Sequence, residues 1–136
     1  MTSDALVRLL GFQIILSVCL VSLGDNGAVA RPVPDGSTPT QLSDRLIDGE
    51  LRTIIEGGDQ RLINLFHSFS EFDIGAGERV YFDDPGVENI LSRVTAGDGS
   101  DIFGTLGVLG DANLFLMDPR GILFGPDAQL DLRGSF

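Results

Sequence analysis

Three runs downstream of Gly58 begin alike: Asn64-Leu65-Phe66, Asn89-Ile90-Leu91 and Asn113-Leu114-Phe115, spaced 25 and then 24 residues apart. Around them, short apolar runs such as Val80-Tyr81-Phe82, Ile102-Phe103 and Ile122-Leu123-Phe124 are punctuated by Gly, Asp, Pro and Ser. Runs of this length bounded by turn formers read as strands rather than helices. A period of about 20–30 residues built of short strands and Gly-rich turns is the pattern of a parallel β-solenoid. In such a fold no coil buries its inward side chains alone, and stacking on the next coil supplies both the apolar cover and the hydrogen bonds. The period by itself leaves a β-sandwich or barrel open, but it restricts the chain to an all-β class.

Upstream, the pattern changes twice. Leu9 to Leu23 is a largely apolar stretch that follows a weakly positive start, and small residues at Ala28 and Ala30 then occupy the two positions a signal peptidase reads. This is the three-part pattern of a secretory signal. The apolar run is shorter than the roughly 20 residues that span a bilayer as a helix. Cys19 lies inside that run, after the branched Val18, so it reads as a signal-peptide residue rather than a lipid-anchor site. The expected division is a signal peptide at 1–30, a leader or capping segment at 31–50, and the solenoid at 51–136. Arg31 to Thr40 holds three prolines and reads as an exposed leader. Gln41 to Glu56 fits either a helical face or two strands about the turn pair Asp48-Gly49, with strands preferred.

Charge and cysteine usage remove several functions. The chain carries 20 acids against 9 basic residues, for a net charge of −11. That balance argues against nucleic-acid binding, which needs a basic face to displace counterions. One Cys, lost with the signal, allows no internal disulfide, and with the single His it supplies none of the usual zinc ligand sets. His67 sits among aromatics without a nucleophile and orienting carboxylate at useful spacing, so a structural role is expected. Asp83-Asp84 and Asp98-Gly99-Ser100-Asp101 lack the alternating pattern of a calcium loop and read as turn carboxylates. No cofactor and no metal are expected.

The block from Asn64 to Phe136 resembles the amino-terminal secretion domain of filamentous haemagglutinin-like proteins, and is most similar to cyanobacterial members. The similarity rests on Asn64-Leu65-Phe66-His67-Ser68-Phe69 with Glu71-Phe72, on Asn89 to Thr95, on Ile102 to Val108, and on Ala112 to Pro126. The resemblance implies a right-handed parallel β-helix with capping strands at its start. It also implies two-partner secretion: export to the periplasm of a Gram-negative-type cell, then recognition by the polypeptide-transport-associated domains of a dedicated outer-membrane transporter. Membrane contact would be transient, and the product would be secreted or held at the cell surface, as part of an adhesin. The family's Asn-Pro-Asn-Gly-Ile turn matches Asp118-Pro119-Arg120-Gly121-Ile122, with Asp and Arg in place of the two Asn. A related turn matches Asp84-Pro85-Gly86-Val87.

Transporter recognition is therefore expected at Asn64, Asn89, Asn113, Asp118, Pro119, Gly121 and Ile122. Phe66, Phe69 and Phe72 are expected to pack at the structural start of the helix. The alternatives are a secreted β-helical polysaccharide-acting enzyme, which requires Asp83, Asp84, Asp98 and Asp101 to converge, and a non-functional truncated fragment. A chain that stops within a strand-and-turn pattern at Leu132 to Phe136 reads as the front end of something longer.

Overall fold

A computed structural model describes residues 30–136. The expected signal peptide, with Cys19 and Ala28, lies outside the described residues except for Ala30. The described residues form twelve strands and no helix: β1 (Val33–Pro34), β2 (Thr40–Ile47), β3 (Glu50–Gly57), β4 (Asp59–Arg61), β5 (Asn64–Glu71), β6 (Arg79–Phe82), β7 (Asn89–Val94), β8 (Ser100–Ile102), β9 (Thr105–Val108), β10 (Asn113–Met117), β11 (Ile122–Phe124) and β12 (Gln129–Asp131). They wind into about three coils of a right-handed parallel β-helix.

Successive coils stack into three walls. The first wall stacks β5, β7 and β10; the second stacks β8 and β11, preceded by a bridge at Ile74; the third stacks β3, β6, β9 and β12. The stacked strands are parallel, with Leu65, Ile90 and Leu114 in one column and Ile55, Phe82 and Val108 in another. Ile74 and Ile102 continue the interior on the second wall. These columns are why the apolar residues recur at coil length: each side chain is covered by its counterpart one coil away, at about 25 cal/mol for every Å² removed from water.

Antiparallel strands close the upstream end. β1 and β4 both pair with β5, and β2 pairs with β3 across eight register positions. The segment read as helix or strand is thus the β2–β3 hairpin. Asp48 and Gly49, at φ of +54° and +80°, make its two-residue turn. Residues 31–50, expected as a leader or capping segment, hold β1, β2 and that turn.

Arg31 to Thr40 departs from the exposed leader expected of it. Asp35 accepts hydrogen bonds from Ser68 Oγ at 2.6 Å and Thr95 Oγ1 at 3.1 Å, and its own N–H donates to the Ser68 carbonyl at 3.2 Å. Thr38 Oγ1 accepts from the Ser68 N–H at 3.1 Å. Polar turn formers, which suggested an exposed segment, are the groups that fasten it to the first two coils. Hydrogen bonds to its serine and threonine partners hold the Asp35 carboxyl well below the usual carboxylate range, against a smaller opposing effect of burial.

Candidate recognition site

Asn64, Asn89 and Asn113 open β5, β7 and β10 and stand in one register column. Asn89 Nδ2 donates to Asn64 Oδ1 at 2.9 Å, and Asn113 Nδ2 donates to Asn89 Oδ1 at 3.1 Å. Asn113 Oδ1 accepts the Ser135 N–H at 2.9 Å. An amide carries a donor and an acceptor on one group, so identical amides repeated at coil spacing form a continuous ladder. The sequence marks these residues through their spacing. The structure adds that their amides are directed at one another from half-buried positions.

Asp118, Pro119, Gly121 and Ile122 lie on a different corner, between the first and second walls. The Asp118 side chain is fully buried; Oδ2 accepts from Ser100 Oγ at 2.7 Å, and Oδ1 accepts the Arg120 N–H at 2.9 Å. The Gly121 N–H returns to the Asp118 carbonyl at 3.0 Å, and Gly121 stands at φ +104°, which a residue with a Cβ rarely adopts. Pro119 is exposed in the turn, while Ile122 enters β11 and packs against the core. Arg120, in the family's second Asn position, uses its guanidinium instead: Nη2 donates to the Val94 carbonyl of the preceding coil at 3.2 Å. Asp84 serves its turn in a similar way, accepting the Gly86 and Val87 N–H groups at 2.8 and 3.1 Å and the Ala112 N–H of the next coil at 3.0 Å. Both Asp-for-Asn replacements thus keep the local turn bonds and add a tie between coils.

The aromatic trio divides. Phe69 and Phe72 are fully buried at the upstream end, edge to face with centroids 5.0 Å apart, and Phe82 stacks on Phe72 at 6.0 Å. Phe66 is 36% exposed and turns to the outer face. The reason is the period of two: Leu65, His67 and Phe69 point inward along β5, which directs Phe66 outward.

His67 is an interior residue. Nδ1 is 2.9 Å from Thr40 Oγ1, the ring lies 5.3 Å from that of Phe82, and Nε2 has no partner. Burial lowers its pKa to about 4, so the ring is neutral near pH 7. Its ring packs between Phe69 and Phe82, with centroids 6.3 and 5.3 Å away.

Asp83 and Asp84 follow β6, whereas Asp98 lies between β7 and β8 and Asp101 lies within β8, on another part of the coil. The four carboxylates do not converge on one cleft. Among the described residues no cluster of three or more His, Cys, Asp or Glu is placed to hold a metal ion.

Comparison with curated proteins and with solved structures returned no match for the chain. A family model described as the TPS secretion domain matches residues 30–136, which covers the cap and every coil. That is a family of transport-targeting domains rather than of enzymes. By the extent of this match the chain belongs to the TPS secretion-domain family, with a secretion-targeting role in two-partner secretion, an outer-membrane transporter as its partner, and export across the outer membrane.

Proposed function

We infer that the polypeptide-transport-associated domains of the transporter read this chain in the periplasm before it folds, and that folding outside the cell completes export. The observation that carries this reading is the pairing pattern. Outside the cap, every described strand finds its partner a full coil away, as β5 finds β7 and β7 finds β10. A strand-prone segment whose partner has not yet arrived offers unpaired backbone groups to any sheet edge, which is the condition for β-augmentation. Once the coils meet, apolar burial opposes return through the transporter.

Asn64, Asn89, Asn113, Asp118, Pro119, Gly121 and Ile122 are proposed as the recognition and turn residues of this step. Their support is the family motif together with their places in the ladder and the turn. A signal peptide cleaved after Ala30 would deliver the chain to the periplasm, and the family match beginning at residue 30 supports that boundary. The host on this reading is a Gram-negative-type, cyanobacterial cell, and adhesion would belong to sequence downstream of the coils.

Co-expression with a cognate transporter tests the reading. The native chain should reach the medium only when the transporter is present. Gly121→Val, which forces a branched side chain onto a left-handed backbone, and Asn89→Ala should reduce release. Release independent of the transporter refutes the proposal.

A further inference from the structure

The outer face of the first wall carries side chains that the packing of the coils does not use. Phe66, Leu91 and Phe115 stand in one register row, and Ser68, Arg93 and Met117 stand in the next. Phe115 and Met117 are each about half exposed. Beside them the β4–β5 turn raises Leu62, 91% exposed and held at φ +56°, a conformation that a bulky residue adopts only against a steric cost. With the Ser37–Thr38 segment, Leu62, Phe66, Leu91, Arg93 and Met117 line a groove of about 700 Å³, whose rim also carries the Asp59–Arg61 ion pair.

Arg93 is unusual in its electrostatics. Seven of the eight described arginines have a carboxylate oxygen within 4.0 Å, and Arg93 is the one that does not. Its Nε donates to Ser68 Oγ at 2.8 Å, and Nη2 reaches Ser37 Oγ at 3.4 Å. Ser68 Oγ in turn donates a hydrogen bond to Asp35 Oδ2 at 2.6 Å. The guanidinium is therefore oriented by hydroxyls, with two of its five N–H donors engaged. In a chain with 20 acids and 9 basic residues, a guanidinium fixed beside an apolar groove without a direct counter-ion is a vacant anion partner.

We propose that this groove binds an extended peptide segment of a partner, with a carboxylate on Arg93 and flanking apolar side chains against Phe66, Leu91 and Met117. Rows two residues apart along a strand are separated by about 6.6 Å, the spacing of alternate side chains in an extended peptide. An acidic sugar fits less well, because the surface next to Arg93 is made by Phe66, Leu91 and Met117, whose side chains offer ring hydroxyls no hydrogen bonds. A second copy of this strongly acidic chain would approach against like charge, whereas a short peptide brings few charges. The groove exists only when β5, β7, β10 and the Ser37–Thr38 segment are assembled. It thus belongs to the folded chain, and it is separate from recognition of the unfolded one.

Fluorescence polarisation with the folded chain tests this. The probes are a labelled Leu-Asp-Phe-Glu-Leu peptide and its Leu-Asn-Phe-Gln-Leu counterpart. The acidic peptide should bind about tenfold more tightly, as loss of a bidentate charged pair predicts. Arg93→Gln should abolish that preference, while Arg93→Lys should retain part of it. Phe66→Ser should weaken both peptides alike. Circular dichroism confirms that each variant is folded. Equal binding of the two peptides to the native chain overturns the proposal, as does a preference that survives Arg93→Gln. Stronger binding of trigalacturonate than of the acidic peptide, or self-association that Arg93→Gln abolishes, assigns the groove to another occupant and overturns it too.

Discussion

Replacing Asn89 with Ala removes the middle rung of the amide ladder, and the geometry sets the cost. Two hydrogen bonds are lost, the 2.9 Å bond to Asn64 and the 3.1 Å bond from Asn113. Each nets about 1 kcal/mol in a folded protein, and half-burial lets water reach the stranded Asn64 Oδ1 and Asn113 Nδ2, so the total is about 2 kcal/mol. Asn64→Ala removes only the single bond to Asn89 and should cost about 1 kcal/mol. Asn113→Ala loses two bonds, but its partner Ser135 is exposed, which places it between the others. For a domain of about 100 residues each kcal/mol moves Tm by about 4–8 °C. Asn89→Ala should therefore melt about 10 °C below the native chain, Asn64→Ala about 5 °C below, and Asn113→Ala between them. The assay is thermal unfolding by circular dichroism on the chain recovered from the medium. Equal Tm values for the three variants, or the lowest for Asn64→Ala, would refute a ladder built of pairwise bonds. Cross-linking to the transporter then separates the two roles of Asn89: a ladder residue changes the melting temperature and leaves cross-linking intact, whereas a recognition residue changes cross-linking.

His67 is the chain's single histidine, so its titration can be followed directly. Its folded pKa of about 4 lies below the unfolded value of about 6.5. The associated stability is present in full above pH about 6.5 and is lost as pH falls towards 4; a proton-NMR midpoint near 6.5 in the folded chain would contradict this. Tyr81, the single tyrosine, is pushed up to about 12, first by burial and then by its 2.7 Å hydrogen bond to Asp131 Oδ2. The neutral phenol stabilises the fold below pH about 10, and that contribution disappears as pH rises towards 12. Asp131→Asn should lower the midpoint in a spectrophotometric titration, and a native midpoint of about 10 would defeat the argument. At Gly107 an added Cβ would stand 2.5 Å from the Tyr81 ring and 2.7 Å from the Asp131 carbonyl oxygen. Gly107→Ala should cost about 1–3 kcal/mol in urea denaturation, and an unchanged midpoint would show that the ring moves aside freely.

The strands of this fold are legible because one coil repeats the next, whereas the spacing alone leaves a sandwich or barrel open and the family resemblance supplies the winding. In the structure Asn64, Asn89 and Asn113, one coil apart in sequence, stand opposite one another in parallel register. The turn at Asp118 is legible as well, since Pro and Gly state their backbone preferences locally. What sequence does not reveal is which polar groups find distant partners. Asp35 falls in a segment that reads as an exposed leader, and its contact with Ser68 and Thr95 depends on how that segment folds back. Arg93 is one arginine among several until the ion pairs of the others are known. Phe66 is read with Phe69 and Phe72 because the three are close in sequence, but strand alternation separates Phe66 from the interior. The ladder itself had a signal available: amides 25 and 24 residues apart, each at the start of an apolar strand.

The arrangement of short and long connections implies an order of assembly. β2 and β3 are joined by a two-residue turn at Asp48-Gly49, and β4 and β5 by one at Leu62-Ile63. Both hairpins lie at the upstream end, and hairpins of this kind close in about 1–10 μs. The parallel pairs β5–β7, β7–β10, β6–β9 and β9–β12 each close a loop of a whole coil, at a larger entropic cost before any contact repays it. The cap is therefore the cheapest part of the chain to form. Once β5 is held by β1 and β4 on one edge, its other edge is a template for β7 alone, and β7 then becomes the template for β10. Coils added in this order follow the order of the sequence. A chain that emerges from a pore amino end first can then bury apolar surface coil by coil without waiting for the remainder. On the proposed export route, the partners one coil apart that would leave the unfolded chain open to a transporter would also let folding keep pace with emergence.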